Sequence, residues 1–298
     1  MEKMLAGLLS LTRFREYIAF VTVTTLLGAT AGDGRFGWGL WVVLAANWLA
    51  VGFAFMINDV EDADDDAVNP AKLNRNPISC RRLSPKQGYM ASLVVALISA
   101  AAYAFLGWQV FEIGLACLVT GFFYSWRGFR IKTMPFLDML SHCMMLAGFQ
   151  FLCGYFTFSS RFNQKWLFPF LFVVCISLYG ELFNELRDYE GDLKAGLKHT
   201  AAFLGERITH ILMMAFLAVG IGAGIYTVFV EWLIAPWVLI VLASMAMVFA
   251  FPRLLKIKRS FSSIELQQPL QKPLELAAAL ALTFSFIQPW LLNLIKGQ

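Results

Sequence analysis

Charged side chains are scarce in this chain. Lys, Arg, Asp and Glu make up 15% of its 298 residues, whereas soluble domains contain roughly 25%. Hydrophobic residues account for 59%, and apolar stretches close to the roughly 20 residues that cross a bilayer recur along the whole length. This composition excludes a soluble protein. We therefore predict an integral membrane protein with the lipid bilayer as a partner and with no nucleic-acid partner.

Paired cysteines are lacking as well. The five cysteines are an odd number, have no Cys-x-x-Cys spacing and lie mostly within apolar segments. This pattern is typical of small buried hydrophobic side chains and excludes a disulfide framework or a zinc site. No cleavable signal peptide is evident, because Arg13 and Arg15 precede the first apolar segment and hydrophobicity continues beyond it. We expect that segment to be a retained helix.

Nine apolar segments have the length of membrane helices. They are residues 16–31, 38–57, 88–107, 110–126, 136–158, 166–183, 208–230, 233–252 and 273–294. We predict an all-α, polytopic membrane protein, a bundle of about nine transmembrane helices around a central cavity. The polar separators between the third, fourth and fifth segments are weak, so a total of eight or ten helices is also possible. No low-complexity linker divides the chain, so we assign residues 1–298 to a single domain.

Basic side chains are distributed unequally between the connecting segments. Nine spans place 20 of the 24 Lys and Arg residues on the side of the N-terminus. That side also contains the loops 58–87, 127–135, 184–207 and 253–272. The positive-inside rule therefore predicts that the N-terminus and these loops are cytoplasmic and that the C-terminus lies on the opposite side.

A pattern of one asparagine and three acids occurs twice, each time where an apolar segment ends. The copies are Asn58, Asp59, Asp62 and Asp66, and Asn184, Glu185, Asp188 and Asp192. If each copy continues the helix before it, carboxylates four residues apart lie on one face and repel one another unless a cation binds them. A solvated acidic loop would explain either copy alone equally well. Their repetition favours one divalent-metal site built from both.

A diphosphate is a suitable ligand for such a site. It carries about three negative charges, so carboxylates bind it only through cations, and Mg²⁺ is the usual bridge. Basic side chains after each copy would bind the remaining oxygens. These side chains are Arg130, Lys132, Lys194 and Lys198.

The motifs resemble those of a known family. Residues 58–66 and 188–192 look like the two signature motifs of the UbiA superfamily of intramembrane prenyltransferases. Tyr124 and Ser125, followed by Arg130 and Lys132, are similar to that family's Y-S-x-x-x-x-R-x-K loop. The resemblance extends to the last helix. It implies Mg²⁺-dependent transfer of a prenyl group from a prenyl diphosphate donor to a hydrophobic acceptor.

One segment departs from the family pattern. Many members carry R-P-I-x-S-G after the first motif, but residues 76–81 here read Asn-Pro-Ile-Ser-Cys-Arg. The arginine, the serine and the glycine are all replaced, and Arg75, one position earlier, is a candidate to supply the charge. This departure leaves the acceptor and the prenyl chain length open.

These observations give a set of predicted site residues. The predicted metal ligands are Asn58, Asp59, Asp62, Asp66, Asn184, Asp188 and Asp192, of which Asp62, Asp66, Asp188 and Asp192 are the catalytic carboxylates. The predicted diphosphate ligands are Arg130, Lys132, Lys198, Lys194, Arg75 and Tyr124. We interpret His142 and Gln150, within an apolar segment, as partners in helix–helix hydrogen bonds. A terpene cyclase of the same superfamily, a cation transporter and a catalytically inactive lipid-binding relative remain alternatives. A transporter would need its acids near the bilayer midplane, and an inactive relative would be expected to lose metal ligands.

The acceptor is constrained by the lack of cations in the membrane. No Lys or Arg lies within the interior of an apolar segment, and Arg13 and Arg15 at the start of the first segment are the nearest. An unpaired carboxylate in lipid is costly. We therefore expect a neutral acceptor such as a phenol, a quinol or an isoprenoid lipid, with a benzoate served by Arg13 or Arg15 as the alternative.

Overall fold

The computed structural model describes residues 2–68, 70–194, 196–254 and 263–295. Every regular element in these ranges is a helix, which confirms the all-α prediction. The helices are α1 Glu2–Thr12, α2 Ile18–Ala31, α3 Trp38–Glu61, α4 Ala63–Ala67, α5 Pro70–Leu73, α6 Pro85–Leu106, α7 Trp108–Ser125, α8 Leu137–Cys143, α9 Phe149–Phe156, α10 Leu167–Lys194, α11 Thr200–Leu204, α12 Glu206–Phe229, α13 Pro236–Leu254 and α14 Ser263–Ile295.

The apolar helices correspond one to one with the nine predicted segments. Seven spans in the described ranges are long and apolar enough to cross a membrane, and one of them, Leu137–Phe156, is formed by α8 and α9 together with an intervening π-helical turn. Two shorter apolar helices, Ile18–Ala31 and Pro236–Phe249, complete the set. Only Gly107 separates α6 from α7, and its φ of 115° is a conformation that favours glycine. The protein is a multi-pass membrane protein.

The first acidic copy continues its helix only in part. Helix α3 ends at Glu61, and Asp62 caps it before α4 begins at Ala63. Three consecutive aspartates, Asp64 to Asp66, follow, and negative charge at a helix C-terminus is unfavourable because the macrodipole is negative there. The second copy behaves as predicted, since α10 runs without a break to Lys194.

Close contact between α2 and α9 fixes the centre of the bundle. A Cβ atom on Gly28 would lie 2.0 Å from the carbonyl oxygen of Phe151, and one on Gly154 would lie 2.3 Å from that of Thr25. Small residues allow such close approach of helix backbones in membranes. The two helices therefore pack at a distance that no larger residue permits at these positions.

Buried amides join four more pairs of helices. The Asn47 side chain of α3 donates to Thr25 Oγ1 of α2 at 2.7 Å and to the backbone oxygen of Gln150 at 3.0 Å, and it accepts from the Tyr103 hydroxyl group at 2.8 Å. Gln150 Nε2 in turn lies 3.1 Å from Cys117 Sγ of α7. The interpretation of Gln150 as a helix–helix partner is confirmed. These bonds hold α2, α3, α6, α7 and α9 in one arrangement.

The α2–α9 contact predicts the effect of adding one methyl group. Gly28→Ala should destabilise the protein by about 1–3 kcal/mol, because the new Cβ atom forces the two backbones apart. Unfolding by SDS titration in a mild detergent would measure this change. Gly222→Ala in α12 is the matched control, since no neighbouring atom lies within 4 Å of the added carbon. It should be neutral or stabilising by about 0.5–1 kcal/mol, and equal destabilisation by both changes would contradict the close packing.

Candidate functional site

The two acidic copies meet at one end of the bundle. They line a cleft of about 1150 Å³ between α3, α4, α7 and α10. Its lining includes Asn58, Asp62 and Asp66 of the first copy, Asn184, Glu185 and Asp188 of the second copy, and Tyr124, Arg130 and Lys132 of the intervening segment. The side chains of Asp192 and Lys194 lie outside the described part of the chain. The prediction of a single site built from both copies is therefore supported by the geometry of the remaining residues.

Two basic side chains are directed at the first copy. Lys132 Nζ donates to Asn58 Oδ1 at 2.9 Å and forms an ion pair with Asp62. Arg130 contacts Asp62 Oδ1 at 2.9 Å and Asp65 Oδ2 at 2.7 Å. These cations provide the positive charge that a row of carboxylates requires.

Burial and ion pairing act in opposite directions on these two cations. Burial lowers the pKa of Lys132, and the charge of Asp62 only partly offsets this effect. Burial also disfavours the charged form of Arg130, but the hydrogen bond that Arg130 donates to Asp65 and the charge of Asp62 outweigh it and raise the pKa of that guanidinium group. Both cations are thus held at the mouth of the cleft by carboxylates that a bound ligand would also contact.

Asp59 was predicted as a metal ligand, but its carboxylate is not among the groups that line the cleft. The side chain is fully buried, and its Oδ1 lies 3.2 Å from Arg13 NH1. Arg13 also contacts Glu16 through Nε at 2.9 Å and lies 4.7 Å above the ring of Phe55. Asp59 is one residue beyond Asn58, which corresponds to about 100° around a helix, so the two side chains face different neighbours.

Two of the predicted diphosphate ligands also lie away from the cleft. Arg75 and Lys198 are exposed, and neither is among its lining residues. Lys72, which sequence reasoning missed, does line it. Lys72 lies on the short helix α5, three positions before Arg75, which follows that helix. The sequence of the Pro-rich loop did not predict this helix.

The second copy forms one face of α10. Glu181 lies three and four residues before Asn184 and Glu185, and Asp188 lies four and three residues after them, so the four side chains share one face and all line the cleft. The Asp188 side chain is 53% exposed and is paired with the adjacent Arg187 at 2.9 Å. It is therefore accessible from the cleft opening.

Glu181 is a cleft residue that sequence reasoning missed. The Tyr124 hydroxyl group lies 3.4 Å from Glu181 Oε1, and His142 Nδ1 lies 3.1 Å from Oε2. His142 thus approaches α10, but its Nδ1 forms no hydrogen bond of acceptable geometry within the described ranges, so its interpretation as a partner in a helix–helix hydrogen bond stays a prediction. An acid in the interior of the apolar segment 166–183, one turn before Glu185, was the available signal.

Glu185 is bonded to the protein backbone, unlike its neighbours on the same face of α10. Its Oε2 accepts a hydrogen bond from the backbone N–H of Ala201 at 2.7 Å and lies 3.2 Å from His199 Nδ1. Asp138 likewise accepts the backbone N–H of Thr200 at 2.5 Å. These two carboxylates fix the beginning of α11 beside the cleft.

The donor set of the cleft fits a hard divalent cation. Carboxylate and amide oxygens are the ligands of Mg²⁺, which also retains waters and takes phosphate oxygens from a substrate. The cleft supplies such oxygens from Asn58, Asp62, Asp66, Asn184 and Asp188. Lys132 bound between Asn58 and Asp62 shows that these oxygens stabilise a positive charge. In the described ranges no group of three or more acidic, His or Cys side chains is close enough together to hold a metal ion.

Known proteins share both the sequence pattern and the fold. The sequence model of the UbiA prenyltransferase family matches residues 19–263. A lycopene elongase/hydratase of Haloarcula japonica is 29% identical over 218 residues, which are 70% of each chain. A 4-hydroxybenzoate octaprenyltransferase of Psychrobacter arcticus is 28% identical over 202 residues, which are 65% of this chain and 62% of the relative.

A solved structure of a UbiA homologue from Archaeoglobus fulgidus bound to GPP and Mg²⁺ has the same fold. The TM-score is 0.71 at 20% sequence identity, and the match covers 94% of this chain and 98% of the homologue. The matched family segment includes both acidic copies and the Arg130–Lys132 loop that meet in the cleft. The chain belongs to the UbiA prenyltransferase family.

Proposed function

We propose that this protein catalyses the Mg²⁺-dependent transfer of a prenyl group from a prenyl diphosphate to a lipophilic acceptor within the membrane. The observation that carries the proposal is the meeting of both acidic copies with Arg130 and Lys132 in one cleft. The UbiA homologue of Archaeoglobus fulgidus, solved with GPP and Mg²⁺, supports it. The bond between the prenyl carbon and the diphosphate oxygen breaks, a bond to the acceptor forms, and the acceptor loses a proton.

The chain's own residues would bind the diphosphate from two sides. Mg²⁺ held by Asn58, Asp62, Asp66, Asn184 and Asp188 would supply the charge that makes diphosphate a good leaving group. Lys132 and Arg130 lie beside Asp62 of the first copy, and Lys72 lines the same space. Once Mg²⁺ neutralises Asp62, these side chains would donate to the diphosphate and stabilise the negative charge that develops on the leaving oxygen.

The prenyl chain would extend from the cleft into the apolar bundle. Tyr124 lines the cleft with its hydroxyl group bound to Glu181, which fixes the ring next to the diphosphate site. Ring faces stabilise positive charge, and an apolar environment keeps water from capturing the allylic cation.

The acceptor should be neutral. Relatives differ on this point, since one is named for lycopene, a hydrocarbon, and another for 4-hydroxybenzoate, a carboxylate. Arg13, one of the two cations at the start of the first apolar segment, is already paired with Asp59 and Glu16. Glu181, Glu185 and Asp138 cluster on the side of α10, and their charges disfavour a second anion. These contacts support a phenol, a quinol or an isoprenoid lipid.

A terpene cyclase and a cation transporter are the two alternative functions, and each makes a prediction that differs from that of a prenyltransferase. A terpene cyclase would consume the prenyl diphosphate without any acceptor, so the products formed with and without added lipid distinguish it from a transferase. A cation transporter would place its acids near the centre of the spans. Asp62 instead follows the last residue of α3, and Asp188 lies in the last two turns of α10.

Both acidic copies should be needed for turnover. Asp62→Asn and Asp188→Asn should each reduce product formation by about 100-fold or more, because each replaces a charged carboxylate with a neutral amide that binds Mg²⁺ less strongly. Purified protein with labelled prenyl diphosphate and a membrane lipid extract, followed by mass spectrometry, measures this. EDTA should have the same effect, reversed by Mg²⁺. Asp64→Asn is the control, because that side chain is 90% exposed; near-normal turnover in either cleft variant would contradict the shared site.

We expect Lys132 to bind the diphosphate and not to take part in binding the metal. Lys132→Met should weaken binding of the prenyl diphosphate and slow turnover by about 100-fold, since a preformed donor to the leaving group is lost. The dependence on Mg²⁺ should be retained. Lys86→Met, an exposed position at the start of α6, is the matched control. Unchanged turnover in the Lys132 variant would identify it as an ordinary basic anchor at the membrane surface.

Competition between acceptors tests the prediction of a neutral substrate. In the same assay 4-hydroxybenzoate should not be prenylated above background, whereas a neutral component of the lipid extract should be. Efficient prenylation of 4-hydroxybenzoate that is lost in Arg13→Ala would show the inference to be wrong. In that case the guanidinium group would have to exchange Asp59 for the carboxylate of the substrate.

A further inference from the structure

We propose that Asn76 is a positioning residue that fixes the Asp66 carboxylate for ligand binding in the cleft. This inference rests on the proposed function, because it concerns a residue of the same site. Asn76 stands where many members of the family carry arginine. Here a neutral amide takes that place, and the structure gives it a defined set of partners.

The Asn76 side chain is fully buried and uses both ends of its amide. Nδ2 donates to the backbone oxygen of Asp59 at 2.7 Å and to Asp66 Oδ2 at 3.0 Å. Oδ1 accepts from the backbone N–H groups of Ile78 at 3.0 Å and Ser79 at 3.4 Å. A buried amide with four partners is stabilising, whereas each partner left unpaired is costly.

These partners fix the orientation of the amide. Oδ1 lies against two N–H donors, and Nδ2 lies against two oxygens. A flipped amide would set an oxygen against the carboxylate of Asp66 and an N–H group against two other N–H groups. The donor therefore always faces Asp66.

Asp66 depends on such a contact because its helix is short. Helix α4 has five residues and is separated from α3 at Asp62, so the long helix does not fix its orientation. Asn76, in the loop after α5, donates a hydrogen bond to Asp66 Oδ2, and Asp66 also lines the cleft. Hydrogen bonds from behind a metal-binding carboxylate orient it, and their loss typically costs 10–100-fold in metal affinity.

A purely structural role for Asn76 would have a different signature. The same loop is also tied to α4 by Ser79, whose Oγ donates to the backbone oxygen of Ala63 at 2.7 Å. That bond does not involve Asp66. Ser79→Ala therefore weakens the attachment of the loop without changing the carboxylate and serves as the matched control.

EPR measurement of Mn²⁺ binding to the purified protein, in the absence of substrate, tests the proposal. Asn76→Ala should weaken Mn²⁺ binding by about 10–100-fold, and Ser79→Ala should leave it within about threefold. In an Asp66→Ala background the change at Asn76 should have no further effect, because contacts acting through one group are not additive. Equal losses in the Asn76 and Ser79 variants, or an Asn76 effect that persists without Asp66, would overturn the proposal.

A second variant covers the case in which Asn76→Ala does not fold. Asn76→Ser retains a hydroxyl acceptor for the backbone N–H groups of the turn but is too short to reach Asp66, so it should show the same loss. Normal Mn²⁺ binding in Asn76→Ser would overturn the positioning role of Asn76. The proposed function would still stand in that case, provided that the wild-type protein turns over prenyl diphosphate. A wild-type protein that neither binds Mn²⁺ nor consumes prenyl diphosphate would overturn both.

Discussion

Mutual repulsion of carboxylates is the constraint on which the cleft depends. Two rows of acids meet at one end of an apolar bundle, and each acid near the membrane requires a positive partner or a hydrogen-bond donor. Lys132 and Arg130 reach the first row from a loop about 70 residues further along the chain. The helices of the bundle must therefore bring that loop over α3, and this requirement determines the position of α7 and α8.

The positions of the helices in turn depend on contacts that do not rely on the hydrophobic effect alone. Lipid is as apolar as most side chains, so helices in a membrane associate through close packing and interhelical hydrogen bonds. Gly28 and Gly154 bring the α2 and α9 backbones together, and Asn47 joins three helices at one point. Through Gln150 and Cys117 these contacts hold α3, which carries Asn58 of the first copy, in a fixed arrangement with α7, which leads to Arg130 and Lys132.

Features encoded locally were predictable from the sequence. Nine apolar segments follow from hydropathy and length, and the shared site follows from two matching patterns at helix ends. The position of Asp59 was predictable in principle, since consecutive helical residues differ by about 100° and Asn58 already faces the cleft. The burial of Asp66 under Asn76 and the exposure of Arg75 were not, because they depend on how a Pro-rich loop of about 20 residues folds back on α4. Glu181 was missed because it lies within a segment identified by its apolar neighbours.

The first acid of each copy, directly after the asparagine, is bound by the protein itself. Asp59 is paired with Arg13, and Glu185 with His199 and the start of α11. The basic partners of the first copy lie in residues 13–132, and those of the second copy lie in residues 187–199. Glu181 and Asp138, by contrast, are bonded across the two halves of the chain. A substitution in one copy therefore leaves the basic partners of the other copy in place.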